Sequence, residues 1–222
     1  MNEHAYDIRR YGPLALLVRF RADPLGGEAA ARAAAQRLAV VLRRQTRVVD
    51  AVAAYDEVLV SYRQREDEAV IRGSIAQYSD QLAASDRTDA PARVPRLHVY
   101  DVRYDGPDLA YVAEVSGLSV GEVAALHAGV EYEVFAVGFQ PGFAYLGELP
   151  QELRMPRRAT PRPRVGAGSV AIALDQTAVY PNVSPGGWHL IGRMEDFGGD
   201  VDFGVATGLT VGDRVRFKAV TP

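Results

Sequence analysis

From Glu131 to the end of the chain, Gly and Pro interrupt the apolar runs before any reaches the length of a stable helix. Proline removes a backbone donor and clashes inside a helix, and glycine carries the largest entropic cost of ordering, so this half is restricted to short strands joined by turns. Val134 to Phe139, Ser169 to Leu174 and Val215 to Val220 read as such strands, and the pattern predicts an all-β barrel or sandwich.

The first part of the chain follows a different rhythm. Leu14 to Phe20 is an apolar run of strand length, broken by Pro24, Gly26 and Gly27, and followed by an Ala-rich helix over about Glu28 to Arg44 with Leu38, Val41 and Leu42 on its apolar face. Thr46 to Ala53 and Glu57 to Arg63, rich in Val and Tyr, read as a hairpin, and a second helix covers about Glu66 to Ala84. Strand, helix, strand, strand, helix predicts an α+β sandwich of the split βαβ kind, with its helices on one face of an antiparallel sheet. Two prolines among small and charged residues mark 86–96 as a linker, giving an α+β N-terminal domain over 1–85 and an all-β barrel domain over 97–222. The barrel domain opens with a strand at Leu97 to Tyr104 and two short helices, about Pro107 to Val115 and Ser119 to Ala128, the second announced by the capping box Ser119-Val-Gly-Glu122.

Composition removes whole classes of chemistry. The chain has 222 residues and no cysteine, so disulfides, thiolate nucleophiles and cysteine-ligated metals are excluded. Its formal charge of −3 predicts neither nucleic acid nor an anionic membrane as partner, and with no membrane-length apolar stretch or leader the expected location is the cytoplasm. The only lysine, Lys218, precedes Ala219, so there is no P-loop. Gly166-Ala-Gly168-Ser-Val-Ala171 fits a dinucleotide fingerprint in spacing alone, because a strand-like segment follows it and position 186 is Gly rather than an acid. The helix pair around Gly117 has helix-turn-helix spacing, but Pro107 to Ala128 contains no Lys or Arg to contact phosphate, so it reads as a structural cover on one end of the barrel. His4, His98, His127 and His189 form no metal-ligand spacing, and no metal is expected.

Five blocks survive this elimination: Val137-Gly-Phe-Gln-Pro-Gly-Phe-Ala-Tyr-Leu-Gly147, Pro156-Arg-Arg-Ala-Thr-Pro-Arg162, Gly166-Ala-Gly-Ser-Val170, Gln176-Thr-Ala-Val-Tyr-Pro181 and Ser184-Pro-Gly-Gly-Trp-His-Leu-Ile-Gly-Arg193. Pro141-Gly142 and Pro185-Gly186 each suit a type II turn that delivers aromatic side chains, Phe143 with Tyr145 and Trp188. Arg154, Arg157, Arg158, Arg162 and Arg164 place five fixed cations within eleven residues, a pattern suited to two-point binding of carboxylate or phosphate and equally to solvated or salt-bridged surface. His127 and Glu131 stand four apart and would share a helix face if the second helix continued; a histidine at a helix C-terminus also has a purely structural use.

These blocks resemble the bacterial family of 5-oxoprolinase B subunits, also called KipI or allophanate hydrolase subunit 1, which is similar to one half of the carboxyltransferase domain of urea carboxylase. The likeness runs from Leu97 to about Arg193, with Gly212-Asp-Arg-Val-Arg-Phe217 matching the closing strand, and the N-terminal domain matches in layout. It implies a cyclophilin-like barrel and a heteromer with a C subunit of the allophanate hydrolase subunit 2 kind. With a separate A subunit, the complex would open the small molecule 5-oxo-L-proline to L-glutamate, consuming ATP that this chain need not itself bind. In that chemistry Arg157, Arg158 and Arg162 are candidates for developing charge or the substrate carboxylate, Gln140, Ser169 and Gln176 for orienting the amide, and Tyr145, Tyr180 and Trp188 for lining the pocket. His127 and Glu131, matching the family's L-H-x-x-x-E-Y segment, are the candidate catalytic titratable pair. The sequence departs from the family at the shortened stretch Tyr104-Asp-Gly106, at Gly166, Leu174-Asp175 and Ala178, and in the tail from Met194 to Leu209. Two other roles stay open: a KipI-type inhibitor of a sensor histidine kinase, and a carboxyltransferase or allophanate hydrolase-like subunit acting on another amide or urea-like substrate.

Overall fold

The computed structural model describes residues 5–84, 94–195, 197 and 208–220. The chain divides into two compact units, Met1–Pro95 and Arg96–Pro222. Most of the segment assigned as a linker lies outside the described residues, as does most of the tail between Met194 and Leu209.

In the first unit, β1 (Tyr6–Arg10), β2 (Ala15–Phe20), α1 (Ala22–Leu25), α2 (Glu28–Arg43), β3 (Val48–Ala54), β4 (Glu57–Tyr62) and α3 (Asp67–Ala84) follow one another along the chain. The four strands form an antiparallel sheet in the order β1-β2-β4-β3. Alternation along β2 and β4 sends Leu16, Val18, Phe20, Val58, Val60 and Tyr62 to the face that packs on Ala31, Ala34, Ala35, Leu38 and Leu42 of α2 and on Ile71 and Ile75 of α3. Strand β1 escapes a reading by periodicity because Tyr-Asp-Ile-Arg-Arg sits on the sheet edge and buries little. The carboxylate of Glu68 holds this unit's surface together, accepting from Arg10, Arg72 and Tyr62; its hydrogen bonds from Arg10 and Arg72 depress its pKa to about 2.

The second unit consists of β5 (Leu97–Arg103), α4 (Leu109–Ser116), α5 (Val120–Ala128), β6 (Glu131–Val137), β7 (Ala144–Gly147), β8 (Arg162–Val165), β9 (Ser169–Ala173), β10 (Gln176–Val179), β11 (Ser184–Gly186), β12 (His189–Met194) and β13 (Arg214–Ala219). Seven strands close a barrel in the order β10-β7-β6-β13-β5-β12-β9, and β8 pairs with β11 as a separate ribbon. Only β13 and β5 run parallel among these pairs. The barrel interior holds Val102, Val134, Leu146, Val170, Ile172, Val179, Ile191 and Phe217, with Leu109, Val112, Ala113 and Val123 of the helix pair packed into the same core. The two helices meet at a 92° bend, and Ser119 and Glu122 form the reciprocal cap read from the sequence. Among the described residues no single helix is long and apolar enough to cross a membrane.

Alternation sends a second apolar set outward. Val165, Ala171, Ala173, Ala178 and Leu190 gather with Phe143, Tyr180 and Trp188 between the barrel wall and the β8–β11 ribbon. The first expected turn is present: Phe143 N–H donates to the Gln140 carbonyl across Pro141 and Gly142, with Gly142 at φ +82°. The second is not. Gly186 lies in β11, and glycine is needed there because a Cβ would stand 2.3 Å from the Tyr180 hydroxyl. Gly106 is constrained still more firmly, since a Cβ would meet the Leu190 carbonyl oxygen at 2.3 Å and the Gly192 nitrogen at 2.5 Å, backbone atoms that cannot rotate away.

Gly106→Ala should therefore destabilise the barrel unit by about 1–3 kcal/mol and lower its thermal midpoint by several degrees. Gly166→Ala, whose Cβ would meet only the Ser169 hydroxyl at 3.9 Å, should leave the midpoint within about a degree. Thermal unfolding of the two variants beside the wild type checks the contrast.

Candidate functional site

The residue that organises the arginine run comes from the other end of the unit. Pro107 ends the approach to α4, and Asp108 takes the cap position, but its side chain makes no bond to its own helix. Instead the carboxylate, 4% exposed, accepts four hydrogen bonds from residues more than forty positions away. Arg162 donates through both terminal nitrogens at 2.8 and 2.7 Å, Arg158 Nη1 at 2.8 Å and the Leu190 N–H at 2.7 Å. That fills the capacity of a carboxylate and ties α4, β8 and β12 together at one point. Burial pushes the Asp108 carboxyl upward, but the Arg162 hydrogen bonds, the Leu190 N–H and the charges of Arg162 and Arg158 outweigh it and hold the group below the usual carboxylate range. Two guanidinium groups against one carboxylate leave the cluster net positive.

Arg157, beside this cluster, is exposed and makes no ion pair among the described residues. Its charge reaches Tyr180. Burial raises the Tyr180 hydroxyl, while a hydrogen bond from the Trp188 backbone and the charges of Arg157 and Arg162 pull it down. Around Tyr180 the rings stack edge to face: Phe143 is centred 5.4 Å from Tyr180, 4.9 Å from Tyr145 and 5.9 Å from Trp188. Such a cluster is rigid, and it places aromatic walls next to fixed cations.

The structure thus brings Tyr145, Tyr180 and Trp188 into one cluster with Arg157 and Arg162 close by. Strand alternation puts Ser169 and Gln176 on the outward face shared with Ala171, Ala178 and Tyr180. Gln140 approaches the same region from the β6–β7 turn, with its Nε2 3.4 Å from the Ser184 hydroxyl. Arg158 and Arg162 are not free cations: both are anchored by Asp108. Sequence reasoning passes over Asp108 because an Asp after Gly-Pro and before an apolar helix looks like an ordinary cap. Its signal is the Gly106-Pro-Asp-Leu109 motif itself.

The expected pair of titratable residues is not brought together. Helix α5 stops at Ala128, so the four-residue spacing does not share a helix face. Glu131 lies exposed on β6 with Arg216 at 2.9 Å. His127 is fully buried in the barrel, its ring 4.8 Å from that of Phe217. Thr177 donates to the Ala171 carbonyl at 3.0 Å, so its oxygen accepts from His127 Nε2–H at 2.8 Å, and Nδ1 then accepts the Tyr104 hydroxyl at 2.7 Å. Both ring nitrogens are engaged in the neutral form, and burial pushes the His127 pKa down to about 3. This is a core histidine fixed in one tautomer. Among the described residues there is no group of three or more His, Asp or Glu able to hold a metal.

The pH dependence follows from that depressed value. The unfolded chain binds the His127 proton near pH 6.5 and the folded chain does not, so stability is full above about pH 6.5 and falls progressively as pH drops towards 3. Between pH 7 and pH 5 the loss should amount to about 2 kcal/mol from this residue. Urea unfolding at the two pH values should show that difference in the wild type and its removal in His127→Gln.

Residues 6–197 match the family described as carboxyltransferase domain, subdomain C and D. The chain is 41% identical over 181 residues to the 5-oxoprolinase B subunit of Escherichia coli O157:H7, covering 82% of each chain. It is 43% identical over 116 residues to the 5-oxoprolinase B subunit of Bacillus subtilis (strain 168), covering 52% of this chain and 48% of that protein. The crystal structure of TTHA0988 superposes with a TM-score of 0.72 at 36% identity over 97% of this chain, which spans only 41% of that protein. Urea carboxylase of Kluyveromyces lactis shares the fold, with a TM-score of 0.68 at 16% identity, over 97% of this chain and 22% of its own.

Proposed function

We propose a role for this chain from a plain premise: it belongs to the carboxyltransferase domain, subdomain C and D, family, alongside the B subunits of 5-oxoprolinase. It serves as one component of an ATP-dependent complex that opens 5-oxo-L-proline to L-glutamate, acting with an A subunit and a C subunit. The observation that carries this reading is the 41% identity to a 5-oxoprolinase B subunit across 82% of both chains.

The site suits that chemistry. A lactam carbonyl is a poor electrophile; phosphorylating its oxygen activates the carbon, water adds there, the ring C–N bond breaks with the amine as leaving group to give an acyl phosphate, and a second water releases phosphate, with negative charge building on oxygen along the way. Fixed donors that need no reorganisation stabilise such charge best. Arg158 and Arg162, locked on Asp108, meet that requirement, and Arg157 adds an unanchored cation beside Tyr180. Tyr145 and Trp188 pack on Phe143 in the same cluster, and Gln140, Ser169 and Gln176 offer neutral hydrogen bonds to an amide. This chain need not itself bind the nucleotide: its only lysine, Lys218, lies on β13 with its nitrogen 3.9 Å from Asp101, away from the arginine cluster. ATP is consumed by the complex as a co-substrate. With His127 sealed in the core, none of the described site residues is placed as the base that activates water, and that role is assigned to a partner chain.

Mixing this protein with its A and C subunits should give ATP-dependent glutamate release from 5-oxo-L-proline, and omitting this chain should abolish it. A stable three-component assembly that releases no glutamate contradicts the reading and favours another amide substrate or a regulatory role.

A further inference from the structure

Between Arg103 and Arg154 the chain contains no lysine or arginine but eight carboxylates. Five of them, Asp105, Asp108, Glu131, Glu133 and Glu148, pair with arginines that come from outside this stretch. The other three, Glu114, Glu122 and Glu152, are exposed and form no ion pair among the described residues. All three belong to elements around one groove. Glu122 lines a surface groove of about 450 Å³ whose walls include Leu118, Ala125, Leu126, Val130 and Pro150. Glu152 lies two residues beyond Pro150 on the short turn Gln151–Leu153, and α4, which carries Glu114, packs on that turn.

The groove is apolar with a fixed anion. One oxygen of Glu122 accepts from the Ser119 N–H and from the Ser119 hydroxyl, both at 2.7 Å, and these bonds hold its carboxyl below the usual range. The helix pair beside it is apolar outside as well as inside. Val112, Ala113 and Val123 are buried in the barrel core, yet Tyr111, Val115 and Val120 stand 52%, 55% and 44% exposed. A helix that is apolar around its whole circumference is ordinarily covered.

The cover must carry positive charge and satisfy its own backbone. A second copy of this chain would set the same three carboxylates against these, and an anionic lipid surface would be repelled in the same way. The groove offers no sheet edge, because β6, which starts beside Val130, already pairs with β7 on one side and β13 on the other. An apolar groove without backbone partners suits a helix, whose N–H and C=O groups are bonded internally. We propose that this groove seats a basic amphipathic helix of a partner subunit, with aliphatic side chains against Leu118, Leu126, Val130 and Pro150 and Lys or Arg side chains facing Glu114, Glu122 and Glu152. This rests on the reading of the chain as one component of a complex and adds to it a surface by which the chain assembles.

Isothermal titration of the full chain with the A subunit and with the C subunit, at about 50 mM and about 300 mM salt, tests the assignment. The wild type should bind one of them, and several-fold more weakly at the higher salt. Ala125→Arg puts a bulky cation into the groove from an exposed helical position; it should weaken that binding about tenfold or more and leave the thermal midpoint within about a degree. Glu114→Gln combined with Glu152→Gln should weaken binding at low salt about threefold or more and flatten the salt dependence. Neither glutamine lies in the groove wall, so this pair carries the test if Ala125→Arg fails to fold. If Ala125→Arg folds and binds as the wild type does, the groove is overturned and the functional reading stands. If it binds weakly but the glutamine pair keeps the full salt dependence, the surface is apolar only and the basic helix is overturned. A wild-type dimer in sedimentation that Ala125→Arg dissociates, or flotation with phosphatidylcholine–phosphatidylglycerol vesicles that it abolishes, would assign the face to a second copy or to lipid instead. A wild type that binds neither subunit removes the functional reading and this assignment with it.

Discussion

One buried carboxylate determines how the outer face of the barrel is built. Asp108 sits where α4 begins, and its two oxygens receive Arg158 from the segment before β8, Arg162 from β8 and the Leu190 N–H from β12. Removing one partner of a buried pair leaves an uncompensated charge, whereas a fully bonded group fixes its neighbours in one arrangement. Two long, flexible cationic side chains thereby become part of the scaffold. Arg157, the neighbour without such an anchor, is left exposed beside the same aromatic cluster.

The barrel itself separates structure from site by alternation. Side chains that point inward from β9 and β10 join the core around His127, whose two hydrogen bonds and stacking on Phe217 explain why a histidine is tolerated there. Their outward neighbours are Ala171, Ala173 and Ala178, small enough for Phe143, Tyr180 and Trp188 to lie against the wall beneath the β8–β11 ribbon. Glycine at 186 permits the Tyr180 ring to approach, and glycine at 106 permits the Asp108 turn to approach β12. Each small residue on this face thus serves a close contact.

Much of the fold is legible in the sequence because local chemistry and tertiary structure agree. The capping box at Ser119 and Glu122, the Pro141-Gly142 turn and the strands near 134, 169 and 215 all appear where composition places them. The failures share one cause, which is that sequence spacing carries no information on long-range partners. Tyr6–Arg10 becomes a strand only because β2 lies beside it, and Pro185-Gly186 extends because β8 pairs with it. His127 and Glu131 have helical spacing, but Gly129 caps the helix and their environments diverge. The arginine run is visible as charge, yet its internal division into anchored Arg158 and Arg162 and exposed Arg157 depends on an aspartate about fifty residues earlier.

The most direct test of the Asp108 anchor is the titration of its carboxyl carbon in the folded chain, followed by carbon-13 NMR. The bonding described predicts that the group titrates below the ordinary carboxylate range and that its midpoint rises in Arg162→Gln. A wild-type midpoint at or above that range, unchanged in Arg162→Gln, would contradict it, because the Arg162 hydrogen bonds would then not outweigh burial.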